Sequence, residues 1–144
     1  MVKEKWLYIK DKADVIEARR IVRQMAMEMG FDEVSQARLA LSISELASNI
    51  WQYAGEGMIY LAQIEDQHGR LGMAIEAVDN GPGISDVHDV LEKGYRNRAA
   101  GGAGLAGVRR VMDQFTIYTK KGKGTRIRAV KWLNQAGKEP AYER

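Results

Sequence analysis

Ser42, Glu45, Asn49 and Gln52 recur at intervals of three, four and three. On an α-helix that spacing places them in one stripe. A carboxylate and a neutral amide one turn apart suit metal-assisted proton transfer. An amide oxygen is a hard ligand for Mg2+, which keeps several water or phosphate oxygens, and the carboxylate can accept a proton from an incoming hydroxyl. Polar helix stripes more often face water. Here, however, Glu45 is the one charged residue between Leu39 and Ala54, in otherwise apolar surroundings.

A second patch is Asp79-Asn80-Gly81-Pro82-Gly83, at the end of an apolar run from Leu71 to Val78. Asp, Asn, Gly and Pro make an ordinary turn. A carboxylate at a strand end can also accept a hydrogen bond from an exocyclic amine, which favours adenine over guanine with its O6 acceptor. Gly81 and Gly83 would let a base approach the backbone closely. The third patch, Gly101-Gly102-Ala103-Gly104-Leu105-Ala106-Gly107, contains G-x-G-x-x-G at Gly102, Gly104 and Gly107. No apolar strand precedes it and no acidic residue follows at the dinucleotide-fold distance, so that fold is excluded. Backbone N–H groups at the start of a helix from Gly104 can still meet phosphate oxygens, with Arg96 and Arg98 nearby. The Walker lysine motif and the H-R-D and D-F-G signatures of ordinary protein kinases are missing.

These patches need elements to hold them. Lys5–Lys10 alternates as a short strand, and Asp11 with Asp14 opens a helix whose stripe runs from Val15 to Met29 before Gly30 stops it. A second helix runs from about Asp32 to about Tyr53, ended by Gly55 and Gly57. Residues 58–67 and 71–78 form a hairpin across His68-Gly69-Arg70. After the Pro82 turn a short helix is expected over Asp86–Lys93, then a glycine-ended stretch over 94–103 and a helix from Gly104. A last hairpin joins Phe115–Lys120 to Thr125–Leu133. Hairpins and clustered helices indicate an α+β two-layer sandwich, with helices on one face of a mixed, mostly antiparallel sheet.

The 144 residues are expected to form one domain, with a polar tail from about Asn134. With 45% hydrophobic and 28% charged residues, the chain is neither disordered nor fibrous. The start lacks a signal-peptide core, and no apolar run reaches membrane-spanning length. No cysteine is present, so disulfides and thiolate chemistry are excluded and a cytoplasmic setting is expected. The two histidines, His68 and His88, are too few for a histidine metal centre. The net charge of +3 does not by itself imply a polyanion. Lys120, Lys121, Lys123, Arg126, Arg128 and Lys131 cluster on the last hairpin near Tyr118 and Trp132, but their alternation with Ile127 and Ala129 indicates a solvated strand face rather than a nucleic-acid surface.

Taken in order, the patches resemble the GHKL ATP-binding superfamily of gyrase, MutL and the histidine kinases. Glu45-x-x-x-Asn49 is similar to its N box, Asp79-x-Gly81-x-Gly83 to its first glycine box and Gly102-x-Gly104 to its second. The absence of a dimerisation helix and of a transducer domain points away from sensor kinases, gyrase and MutL. Ser44–Ile50, Tyr53-Ala54-Gly55 and Gly104–Asp113 resemble the RsbT-type serine/threonine switch kinases of the bacterial stressosome, with Ala106 standing where a proline is expected. The resemblance implies a Bergerat fold and Mg2+-ATP-dependent phosphorylation of STAS-domain proteins. It also implies partner switching toward a downstream effector, often a PP2C-type phosphatase. Glu45 would be the general base and Asn49 the Mg2+ ligand. Asp79 would bind the adenine amine, with Thr125 in support and Gly81 and Gly83 shaping the pocket. Gly102 and Gly104 would cradle phosphates beneath a lid of residues 84–101. The alternative is an anti-sigma factor or ATP-binding switch that acts mainly by binding.

Overall fold

A computed structural model describes residues 3–87, Leu91 and residues 104–134. The strands are β1 (Glu4–Ile9), β2 (Gly57–Glu65), β3 (Leu71–Asp79), β4 (Gln114–Lys120) and β5 (Gly124–Trp132). The helices are α1 (Lys12–Met29), α2 (Glu33–Asn49) and α3 (Gly104–Val111), with a π-helical turn over Ile50–Ala54. Gly102, Arg96, Arg98, His88, most of the expected lid and the tail beyond Asn134 lie outside the described residues.

Capping residues set the helix ends. The Asp11 carboxylate accepts the Asp14 N–H at 3.0 Å and the Asp32 carboxylate accepts the Ser35 N–H at 2.8 Å, satisfying donors that a helix start leaves open. Asp14 reaches back one residue further than a capping box requires, accepting the Lys10 N–H at 2.9 Å. Gly30 ends α1 in the left-handed region at φ 95°.

The sheet order is β1-β2-β3-β5-β4, and all four pairings are antiparallel. No parallel pair of a mixed sheet is found among the described strands. The reason is the route after β3: the chain crosses through α3 to the far end of the sheet, β4 runs in the direction of β3, and β5 turns back into the slot between them. The helices pack on the face that carries Leu7, Ile9, Ile59, Leu61, Ile75, Ile127 and Ala129, all buried with Val22, Leu39, Ile43, Leu46, Leu105 and Val108. The other face carries Trp6 beside Tyr60, with ring centroids 4.5 Å apart, and Arg128 paired with Glu76 at 3.3 Å. None of the described helices is long and apolar enough to cross a membrane.

Two expectations need correction. Lys131 is buried rather than solvated. It lies on the helix side of β5, where its Nζ donates to the Val111 carbonyl at 3.3 Å and pairs with Asp113 at 3.4 Å. A cation there neutralises the carbonyl end of α3. The second helix also does not continue as an α-helix to Tyr53, because the π turn takes over at Ile50.

The β4–β5 turn contains two glycines with positive φ but different surroundings. A Cβ on Gly122 (φ 78°) would meet nothing within 4 Å, whereas one on Gly124 (φ 95°) would collide with the Asp79 carbonyl. Gly122→Ala should cost about 1 kcal/mol, the ordinary left-handed penalty, and Gly124→Ala at least about 2 kcal/mol more. Urea unfolding of both variants measures the difference; equal losses would remove the close approach from the account.

Candidate functional site

The π turn is the local event that builds the site. Five residues in a wider turn change the phase of the chain, so Tyr53 and Ala54 join Asn49, Leu46 and Ile50 on one wall. Turns of this kind inside helices are frequent at functional sites. Opposite them, the sheet contributes Ala77, Asp79, Thr125 and Ile127, while Gly83, Ile84 and Leu105 close the sides. The cavity is about 200 Å³ and open on one side. Its walls are mainly apolar with a few polar groups, the character of a small-molecule site.

Asp79 is the polar focus. Its carboxylate accepts the Gly81 N–H at 2.9 Å and faces the backbone N–H of Thr125 across the strand pair. Burial raises its pKa above the ordinary carboxylate value, and the two N–H groups oppose that rise. Gly81 allows the turn to close on α2's extension: a Cβ there would lie 2.6 Å from the Ala54 Cβ. Its close approach is therefore to the π turn. Thr119 ties the far side together. Its Oγ1 accepts the Ile84 N–H at 2.8 Å and lies 2.9 Å from Thr125 Oγ1, while the Gly122 N–H donates to the Pro82 carbonyl at 2.7 Å. The chain after Asp79 is thus pinned to the β4–β5 hairpin.

Glu45 sits one helical turn before Asn49 and is buried. Burial raises its pKa, and the nearby Gly104 N–H at the start of α3 opposes that rise. Glu45 is therefore beside the cavity rather than on its wall, linked to it through α3 and Leu105. Ser42, one turn earlier, is fully buried with its hydroxyl unpaired, so the polar stripe faces inward rather than water.

The structure brings Asn49, Asp79, Gly83 and Thr125 into one cavity and sets Glu45 near Gly104 next to it. Gly81 supports the turn from behind, and Gly102 lies outside the described residues. Sequence reasoning gave no role to Thr119 or Tyr53. The nearest signal for Thr119 was its hairpin pairing with Thr125. The slot and its shielded carboxylate fit a flat base with an amine donor. No cluster of three acidic or histidine ligands exists among the described residues, so a cation would rest on Asn49 and on oxygens from outside the protein.

The profile of the histidine kinase-like ATPase domain matches residues 9–131. The serine/threonine-protein kinase RsbT of Bacillus subtilis is 48% identical over 120 residues, covering 83% of this chain and 90% of the relative. An anti-sigma F factor of Clostridium botulinum is 34% identical over 107 residues, 72% of this chain and 73% of the relative. Among solved structures, the RsbU and RsbW domains of Rv1364c from Mycobacterium tuberculosis superpose with a TM-score of 0.62 at 16% identity, over 92% of this chain and 32% of that one. SiaB in the SiaB–SiaC complex from Pseudomonas aeruginosa gives 0.58 at 13% identity, over 88% and 89%. These two likenesses speak for the fold alone. With this domain match, the RsbT relative and an antiparallel sheet under two long helices, the chain belongs to the histidine kinase-like ATPase family and is similar to its RsbT-type serine/threonine kinases.

Proposed function

We propose that this chain is an Mg2+-ATP-dependent protein serine/threonine kinase that phosphorylates a STAS-domain partner in the cytoplasm and thereby switches its own binding to a downstream effector such as a PP2C-type phosphatase. The observation that carries this reading is Asp79 in the cavity wall opposite Asn49, with the buried Glu45 one turn from Asn49. Asp79 accepts the exocyclic amine of adenine, and Leu46, Ile50 and Ile127 bury the ring faces. Asn49 would hold Mg2+, which would supply charge neutralisation at the phosphates. Glu45 takes the proton of the incoming serine or threonine hydroxyl as that oxygen bonds to the γ-phosphorus and ADP leaves. Such a transfer needs positioning and electrostatics more than covalent help from the protein.

The Gly104 N–H near Glu45 belongs to the helix start we assign to phosphate. A phosphate oxygen and the Glu45 carboxylate are therefore alternative partners for one donor, and nucleotide binding frees the base. A switch that acts mainly by binding is the second reading, supported by the anti-sigma F factor relative.

Incubation with Mg2+, γ-labelled ATP and a STAS-domain protein from the same cell should place label on a serine or threonine. Glu45→Gln should lower that transfer by at least about 100-fold while nucleotide still binds. Binding with no transfer by the parent would favour the second reading.

The same variant has a stability signature. A folded-state pKa raised by burial means that the native protein retains a proton the unfolded chain releases. Glu45 therefore lowers stability as pH rises through the window between its unfolded and folded values, and the loss persists above it. Glu45→Gln should melt at a higher temperature than the parent at neutral pH, with the gain vanishing below the ordinary glutamate range. Coincident melting at every pH would contradict the buried carboxylate.

A further inference from the structure

On the sheet face away from the helices, Val78, Arg126 and Tyr118 form one cross-strand row over β3, β5 and β4. Lys120 and Lys123 continue it into the hairpin turn, and these residues line an open groove that adjoins the nucleotide cavity and shares Asp79 and Thr125 with it. Tyr118 is 68% exposed, the most solvent-accessible large hydrophobic side chain among the described residues.

Three cations cluster on this groove. Arg128, the next outward cation on β5, is paired with Glu76, Lys131 with Asp113, and Arg70 with Asp66. Lys120, Lys123 and Arg126 meet no carboxylate of the described residues within ion-pair distance. Three neighbouring positive charges that no carboxylate of the described residues pairs outweigh the single Asp79 at the inner end of the groove and make a local positive potential that attracts an acidic ligand. The row crosses three strands, about 10 Å, a span that an extended polypeptide segment of a few residues can cover.

We propose that this groove docks an extended acidic segment of a partner protein, with Lys120, Lys123 and Arg126 meeting its carboxylates and Tyr118 and Val78 packing on its intervening apolar side chains. Nucleic acid is the less favoured ligand. Tyr118 offers one stacking platform where strand binding uses several.

The probe is a fluorescein-labelled peptide alternating Glu with Val, followed by anisotropy on the intact protein at low and high salt. A Lys–Val peptide and an oligothymidylate serve as competitors in parallel. The acidic peptide should bind, weaken with salt, and lose at least about tenfold in affinity to the Lys120→Glu/Lys123→Glu/Arg126→Glu variant. ATP affinity and melting temperature should stay at the parent's values. Tyr118→Ala, a change at an exposed site, should weaken the peptide independently of charge. Absence of acidic-peptide binding, equal binding by the charge-reversed variant, or tighter binding of the oligothymidylate would each overturn the proposal.

Discussion

A half-buried carboxylate at the end of β3 governs the arrangement of this protein. Asp79 has no cation partner among the described residues; the Gly81 N–H donates to it and the Thr125 N–H lies against it instead. Hydrogen bonds to a charged group are worth about 1.5–3 kcal/mol each, and losing one leaves a buried charge short of a partner. Both donors must therefore stay in place. That fixes the tightness of the Gly81–Gly83 turn, the register of β5 against β3, and the close passage of Gly124 under the Asp79 carbonyl. Thr119 and the Gly122–Pro82 bond hold the same geometry from the hairpin side. The fold spends many local constraints on one acceptor, which is what a discriminating polar group in an apolar slot requires.

On the helical side a second carboxylate is treated differently. Glu45 is as deeply buried as a core residue, and the backbone N–H that opposes its pKa rise belongs to α3 rather than to the sheet. That interaction can change if α3's first turn finds another ligand, whereas Asp79 is locked by strand register. In the proposed function one acid serves recognition and the other a change of state. The π turn lies between them and lets α2 present Asn49, Tyr53 and Ala54 to the same cavity that Asp79 serves.

Much of this was legible from residue order. Alternation gave the strands, Asp11, Asp32 and Gly30 marked helix ends, and glycine pairs marked the hairpins, because each is a local effect with a local cause. Lys131 was misread because strand alternation sorts side chains to a face but does not say that a helix end and Asp113 wait there for a cation. The π turn escaped notice because its residues carry the same apolar pattern as a continuing α-helix. Thr119 escaped because its role depends on the Ile84 N–H, 35 positions away in sequence. The all-antiparallel sheet depended on where β5 inserts, and that is settled by the crossover rather than by any strand's own sequence.

The account turns on Asp79 reading a hydrogen-bond donor on the base. Calorimetry with ATP and inosine triphosphate addresses this directly, since the two differ at the ring position where an amine donor is replaced by a carbonyl acceptor. Parent protein should prefer ATP by at least about tenfold, close to 1.4 kcal/mol, and Asp79→Asn should erase most of that preference. Equal affinity of the parent for both nucleotides, or a preference that survives in Asp79→Asn, would contradict the assignment on which the account depends.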